Sequence, residues 1–288
     1  MLGIFRTILS LAAIAVAPLP AFAQTQDAPT QPTEGGETPT PALDWTVVRF
    51  TEEPTLIETA QFDNGIGLVA RCMDGAYDVI INGLPPAGRR TLAREIGLQV
   101  GDDETEDTTV WTTGSDRGSA FSRIPARVAR QLAKGGRLQI IVPAEREGGP
   151  RTRYVMELEP SSTAIERTLT ACNRPLVDPR NETADGNGQD GLPNDISWVR
   201  QPRISFPAPV KDRMPLRGYV TLSCLVQTEG RLGDCQIESE HPRGYNLGKA
   251  VEDGIRTGRV RQPADARAAG LPFEGRMIIF TVAFSASG

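Results

Sequence analysis

Residues Gly218 to Glu240, GYVTLSCLVQTEGRLGDCQIESE, decide the fold of the carboxy-terminal part of the chain. Valine, leucine and isoleucine lie on both sides of a turn at Glu229-Gly230, where glycine takes a positive φ without steric cost. Folding about this turn places Cys224 opposite Cys235 on one face of two antiparallel strands. Directly opposed residues have Cβ atoms about 4.5–5.5 Å apart, and the closer pairs approach disulfide distance. The stretch therefore predicts a β-hairpin closed by a Cys224–Cys235 disulfide.

The amino terminus predicts export into an oxidising compartment. A segment with a single positive charge precedes a short apolar run over residues 8–16, and Ala21-Phe22-Ala23 has the small-x-small form of a cleavage site. A spanning helix needs about 20 apolar residues, and Pro18 and Pro20 interrupt this run. We therefore expect a signal peptide over residues 1–23 and a mature chain in the periplasm. The alternative is an uncleaved inner-membrane anchor with the remainder of the chain facing the periplasm.

The cysteine count supports the same compartment. The chain has four cysteines, and their spacing contains neither C-x-x-C nor a Cys/His zinc pattern, so disulfides are favoured over a metal. Three connectivities are possible, but the hairpin pairing leaves Cys72 with Cys172. This second bridge would close a loop of about 100 residues, a constraint worth roughly 4–5 kcal/mol in the chain-entropy model. No metal site and no cofactor are expected.

Two polar segments divide the chain into two predicted domains. Residues 24–43 are rich in Thr, Pro, Gln, Glu and Gly and cannot bury a core, so they predict a flexible leader. Residues 175–195 have a similar composition and predict a flexible linker. The segments between and after them, 44–174 and 196–288, each have the size of a single domain.

The first domain, 44–174, is predicted to be mixed α and β. A stripe of apolar residues at helical spacing predicts a helix that begins after Ser119 and ends at Gly135-Gly136. A capping box at Thr163–Glu166 starts a second helix, which directs Cys172 towards the core. The residues of the first stripe are Phe121, Ile124, Val128 and Leu132. The strand-like runs are Trp45–Phe50, Gly67–Cys72, Tyr77–Asn82, Thr108–Thr112, Arg137–Val142 and Tyr154–Glu159.

The second domain, 196–288, follows a β-β-α-β order. An extended segment with Phe206-Pro207 precedes the hairpin, the helix LGKAVEDGIRTG begins at Leu247, and Arg276–Phe284 forms the last strand. The hairpin reads G-x-V-x-L-x-C-x-V-x-x-x-G-x-L-x-D-C-x-I, and Ser239–Gly244 reads Ser-Glu-x-Pro-x-Gly. With these motifs the domain resembles the TonB carboxy-terminal domain family over about 80 residues. The Arg-x-x-Pro motif that follows the helix in that family is one residue longer here, at Arg259–Pro263.

The resemblance implies a three-stranded antiparallel sheet in a periplasmic protein-interaction module. In such a module an extended peptide of the partner adds to the edge of the last strand, where unpaired main-chain groups supply affinity. The alternative is a strand buried by its own domain or by a second copy of the chain. The candidate edge consists of Met277, Ile278, Ile279, Phe280, Thr281, Val282, Ala283 and Phe284.

Few residues suggest catalysis or ion binding. The only histidine, His241, lies between Glu240 and Pro242, and we interpret it as a turn residue. In Gly114–Gly118 the serine does not stand at the nucleophile position of G-x-S-x-G. The segment Asp185–Gly191 lacks the closing glutamate of a calcium loop. The acidic run 102–107 is typical of a solvated loop. The net charge of −5 and the scattered arginines exclude a nucleic-acid patch.

The sequence thus predicts an exported, two-domain α+β protein that is not an enzyme. We expect it to bind an envelope or outer-membrane protein, or a second copy of itself, in a role that includes transport across the envelope. One alternative is a TonB-type energy transducer with an uncleaved anchor, acting through outer-membrane receptors. The other is an envelope hydrolase with its site in the first domain.

Overall fold

The computed structural model describes residues 45–49, 55–102, 105–144, 149–193, 196–207 and 217–285. Contacts between Cα atoms divide the chain into Met1–Glu37 and Thr38–Gly288, and every described residue belongs to the second unit. The predicted signal peptide and leader lie outside the described residues. None of the helices in the described ranges is long and apolar enough to cross a membrane.

The first nine strands form one antiparallel sheet. Its spatial order is β1-β2-β3-β4-β7-β6-β5-β8-β9, so only the segment from β5 to β7 departs from simple succession. The strands are β1 (Thr46–Arg49), β2 (Leu56–Gln61), β3 (Gly67–Met73), β4 (Ala76–Asn82), β5 (Ala93–Val100), β6 (Asp107–Thr113), β7 (Ala120–Ser122), β8 (Gly136–Val142) and β9 (Thr152–Leu158).

The turn between β3 and β4 shows how local sequence sets register in this sheet. Asp74 and Gly75 both have positive φ, 53° and 75°, and Asp-Gly is the dipeptide that two-residue hairpins with a type I′ turn favour. Met73 therefore pairs with Ala76, and Cys72 pairs with Tyr77. This register buries Cys72 in the core, on the side that faces α2.

Two helices cover the nine-stranded sheet. The helix α1 (Pro125–Leu132) begins with proline, whose fixed φ suits the first helical position and whose missing N–H costs nothing there. The helix α2 (Ser162–Ala171) packs on β2 and β3 and buries Ile165 and Leu169. The prediction of a helix that begins after Ser119 is therefore wrong about its first residues, because the helix begins at Pro125. Phe121 lies in β7, because the proline forces Ile124 out of the helical region.

Among the described residues, the carboxy-terminal part of the chain, from 179 to 285, forms two small sheets and two short helices. The main sheet has the order β10-β15-β12-β13, and β11 pairs with β14 as a separate ribbon. The elements are β10 (Ala184–Asp185), β11 (Ser197–Arg200), β12 (Arg217–Val226), β13 (Leu232–His241), α3 (Leu247–Ile255), β14 (Arg259–Arg261), α4 (Ala264–Ala268) and β15 (Met277–Ser285), with 3-10 turns at Pro179–Thr183 and Thr228–Gly230.

The strand β15 of the main sheet contributes side chains to two cores, one on each face. One face of β15 places Ile278, Phe280 and Phe284 in a core that includes Val251 and Ile255 of α3. The opposite face contributes Met277 and Ile279 to the core of the nine-stranded sheet. The predicted α+β class is confirmed, and the three predicted strands of this sheet are joined by a fourth, because β10 lies on the outer side of β15.

Both disulfides join the cysteines that the sequence pairs. Cys72 on β3 bonds to Cys172, which caps the end of α2, with a Cα–Cα distance of 5.6 Å. Cys224 bonds to Cys235 across the hairpin, with a Cα–Cα distance of 4.1 Å. Disulfides persist in oxidising surroundings, so the two bonds indicate a compartment outside the cytoplasm.

The hairpin differs in detail from the predicted direct opposition of its cysteines. Ser223 pairs with Gln236 and Leu225 pairs with Gly233, so Cys224 faces two residues, Asp234 and Cys235. This is a β-bulge, in which one extra residue on a strand increases its local twist.

Residues 175–193, the described part of the predicted flexible linker 175–195, contact other parts of the chain. They contain the 3-10 turn Pro179–Thr183 and the strand β10, which pairs with β15. Both predicted domains accordingly lie within the one unit Thr38–Gly288, and their boundaries stay a prediction from composition.

Candidate partner-binding edge

The strand β15 is the central feature of the candidate site. Its inner side pairs with β12 along its whole length, from Met277 to Ser285. The side chains of Met277–Thr281 are buried, as is that of Phe284, whereas Val282 is half-buried and Ala283 and Ser285 are exposed. Most of the predicted partner-binding side chains therefore fill the protein's own cores.

The outer side of β15 is covered by the chain itself between Met277 and Thr281. We call residues 183–191 the edge strap. Its strand β10 pairs in parallel with Met277 and Ile278. Further along, the amide of Thr281 donates to the carbonyl of Gln189 at 3.0 Å, and the carbonyl of Thr281 accepts from the amide of Gly191 at 2.8 Å. The sequence predicts a free edge here, and the structure places the edge strap along it.

The edge strap also holds the amino-terminal part of the chain, residues 45–174. Its carbonyl groups accept hydrogen bonds from Arg127 Nη1 at 3.2 Å, from Arg123 Nη1 at 3.1 Å and from the amide of Val110 at 2.9 Å. Arg123 Nη1 also lies 2.7 Å from a carboxylate oxygen of Asp190. The edge strap is therefore a polar connector between β15 and the first sheet.

After Thr281, every second residue of β15 directs its main-chain N–H and C=O groups away from β12. The N–H and C=O of successive residues in a strand point to opposite sides. Those of Thr281 point to the outer side, so those of Ala283 and Ser285 do as well. Within the described ranges, no residue pairs with the outer side of β15 after Thr281. This end of the strand therefore differs from Met277–Thr281, where the edge strap lies against the outer side.

An aromatic corner lies beside this end of β15. Phe206 contacts Phe284 edge to face, with ring centroids 5.5 Å apart, and 40% of Phe206 remains exposed. Phe206 and Pro207 also line a cavity of about 340 Å³ against α3, with Lys249 and Asp253 at its rim. A surface with both apolar and charged residues thus adjoins this end of β15.

The opposite edge of the sheet is blocked by arginine side chains. Arg174 donates to the carbonyl of Ile237, and Arg180 donates to the carbonyl of Asp234 at 3.4 Å. Asp178 orients Arg180 through two further contacts, and this hydrogen bonding lowers the pKa of the Asp178 carboxyl. Charged groups on an edge strand oppose pairing with another chain, so β13 is a poor docking edge.

The only histidine does not form a catalytic group with its sequence neighbours. Ser239 Oγ donates to the carbonyl of Arg123 at 2.8 Å, and Glu240 Oε2 accepts from the amide of Gly248 at 2.7 Å. His241 stacks on Tyr219, with ring centroids 6.0 Å apart, and burial followed by the charge of Arg243 lowers the pKa of His241.

Tyr219 is enclosed by the two parts of the chain. The guanidinium carbon of Arg123 lies 4.4 Å from the centre of the Tyr219 ring, a cation–π contact. Thr112 donates to the Tyr219 hydroxyl at 2.5 Å, and burial raises the pKa of Tyr219. These contacts form a polar joint between the sheets.

The other candidate sites contain local pairs. Asp116 accepts hydrogen bonds from the side chain and the amide of Ser119, which lower its pKa, so Gly114–Gly118 is a turn. In the acidic run, Asp107 bonds Arg127 and Gln131. Among the described residues, no group of three or more His, Cys, Asp or Glu side chains could hold a metal ion.

The residues that sequence reasoning missed are those of the edge strap and its arginine partners. The sequence does contain one indication of this contact, because three glycines, Gly186, Gly188 and Gly191, lie within six residues. Glycine at such spacing allows close approach of another main chain, but the same composition is typical of a linker.

No protein-family model, no curated protein and no solved structure matches the chain. The likeness of residues 196–288 to TonB carboxy-terminal domains therefore stays an expectation from sequence pattern.

Proposed function

We propose that this protein is a non-enzymatic, periplasmic binding protein that takes up an extended segment of a partner at the free end of β15. The partner is an envelope protein, and the binding mode is strand addition, in which main-chain hydrogen bonds supply affinity and side-chain pockets supply choice. The TonB-type carboxy-terminal resemblance and a cleaved signal peptide are parts of this proposal.

The observation that carries the proposal is the difference between the two sides of β15. The inner side is paired from Met277 to Ser285, whereas the pairing that the described residues make with the outer side ends at Thr281. Ala283 is exposed and its main-chain groups point outward. A strand added here gains hydrogen bonds without breaking any pair with β12.

The aromatic corner supports the same position. Phe206 is one of few large apolar side chains that the described surface exposes, and it contacts Phe284 on β15. Aromatic side chains at the centre of an interface contribute much of its binding energy. We therefore assign Phe206 as the side-chain anchor next to the main-chain contacts of Ala283.

Replacing Ala283 by proline tests the proposal. Proline removes the outward N–H of residue 283 and is tolerated at the free side of an edge strand. With a photocrosslinker at Ser285, we expect Ala283→Pro to reduce partner capture in the native envelope by roughly tenfold or more, since a lost hydrogen bond and the blocked approach together exceed about 1.4 kcal/mol.

Ala283→Thr is the matched control, because threonine keeps the N–H and suits a strand. Capture of one defined envelope protein that is lost in Ala283→Pro and retained in Ala283→Thr supports strand addition. Equal capture in both variants contradicts it. Capture of a second copy of this chain would make the edge a dimer contact and replace the proposed envelope partner.

A further inference from the structure

We infer that the edge strap is an internal competitor for the docking edge, occupying the position of an added strand along Met277–Thr281 until a partner segment displaces it. This inference rests on the proposed function, because it concerns regulation of the same edge. The full docking surface would then run from Met277 to Ser285, and only its last residues have an outer side without a main-chain partner among the described residues.

The edge strap has the geometry of an incomplete added strand. The strand β10 runs parallel to β15, with Ala184 opposite Met277 and Asp185 opposite Ile278. The pairing then becomes irregular and resumes at Thr281, which exchanges hydrogen bonds with Gln189 and Gly191. An incomplete strand with few regular pairs is more easily replaced than one with a continuous ladder.

The close approach of the edge strap to the main chain of β15 depends on Gly186. A Cβ atom at Gly186 would lie 2.1 Å from the carbonyl oxygen of Ile279, and the φ of Gly186 is +110°. No other residue type fits this position without moving the edge strap away from β15. Close approach of main chains is the feature that an added strand requires.

Polar contacts hold the edge strap in its position. Arg123, Arg127 and Val110 bind its carbonyl groups, and Arg276 lies 3.1 Å from Asp185. An incoming main chain offers the same carbonyl acceptors, so exchange of one segment for the other changes the net free energy of hydrogen bonding little.

These contacts also specify the chemistry of the competing segment. It runs parallel to β15, carries glycine opposite the carbonyl of Ile279, and carries a carboxylate within reach of Arg276. A second carboxylate that replaces Asp190 would pair with Arg123. We therefore assign the docking edge to an extended, glycine-containing acidic peptide.

Gly186→Ala tests whether the edge strap leaves the edge. The variant is compared with Gly191→Ala, which lies in the same segment, has a φ of +79° and has open space around its Cβ position. By NMR-detected hydrogen exchange, we expect the Thr281 amide to exchange about tenfold faster or more in Gly186→Ala than in Gly191→Ala. Equal exchange in the two variants overturns the inference.

A peptide with the sequence of residues 183–191, TADGNGQDG, tests competition directly. We expect the labelled peptide to bind whole-chain Gly186→Ala at least about tenfold more tightly than wild type or Gly191→Ala in fluorescence anisotropy. Should Gly186→Ala fail to fold, Asp185→Asn weakens the edge strap at Arg276 and is expected to change both measurements in the same direction.

Two results separate this inference from the proposed function. Faster exchange at Thr281 without any gain in peptide binding overturns the competitor role, whatever the outcome for Ala283→Pro. Loss of capture in Ala283→Pro together with unchanged exchange in Gly186→Ala leaves strand addition in place and removes the edge strap from its regulation.

Discussion

Replacing Cys72 and Cys172 together by alanine is expected to lower the free energy of unfolding by roughly 4–5 kcal/mol. The two cysteines are separated by 100 residues, and a cross-link over a longer loop removes more conformations from the unfolded chain. The bond also holds the end of α2 against β3, where both sulfurs are buried. Urea unfolding followed by circular dichroism measures the difference.

The hairpin disulfide provides the matched control. Cys224 and Cys235 are only 11 residues apart, so their replacement by alanine is expected to cost about 3 kcal/mol. Both variants lose the same atoms, and the difference between them therefore reports loop length. A larger loss for the hairpin pair than for Cys72 and Cys172 would contradict the entropic explanation and indicate that the hairpin supports the fold of the whole unit.

Replacing Arg167 by methionine is expected to cost about 3 kcal/mol of unfolding free energy or more, because it leaves a buried carboxylate without its partner. Glu58 is fully buried on β2, and its Oε1 accepts from Arg167 Nε at 3.2 Å and from Nη2 at 2.9 Å. Methionine keeps most of the apolar stem of arginine, so the loss reports the charge and the hydrogen bonds.

Two further variants distinguish this account from a loss of packing. Adding Glu58→Gln to Arg167→Met removes the buried charge, and the double variant is expected to regain stability over Arg167→Met alone. Arg153→Met removes an exposed arginine that bonds Gln139 on the neighbouring strand, and it is expected to cost less than about 1 kcal/mol. Equal losses of unfolding free energy in Arg153→Met and Arg167→Met would contradict a large contribution from the buried Glu58–Arg167 pair.

Glu58 also shows why sequence patterns missed part of the first sheet. The strand β2 reads LIETAQ and buries its acid, so its polarity argues against a buried strand. The compensating partner, Arg167, is 109 residues away, and no local pattern reveals it. The strand β5 contains a glycine and β7 has only three residues, so neither offers a strong periodic signal.

The hairpin and the last strand were predictable because their signals are local. Alternating apolar residues around Glu229-Gly230 define β12 and β13, and both turn residues take positive φ in the structure. The cysteines pair as expected because the hairpin fixes one bond and leaves one remaining choice. The bulge at Asp234 was not predictable, since it depends on how the hairpin twists over the first sheet.

The edge strap was predicted incorrectly as a linker for a related reason. Its side chains are small and polar, and composition alone indicates a segment that cannot build a core. Besides its two ion pairs, it contacts β15, α1 and β6 through its main-chain groups. Such contacts need glycine and carbonyl groups in particular places, and hydrophobic periodicity contains no information about them.

Hydrogen exchange along β15 in the free protein tests whether its outer side is open after Thr281. We expect the amide of Thr281, bonded to Gln189, to be protected. The amides of Ala283 and Ser285 are expected to exchange about tenfold faster or more, because they face outward without a partner among the described residues. Protection of Ala283 equal to that of Thr281 would mean that the free end of β15 is covered, and it would contradict a docking edge at this position.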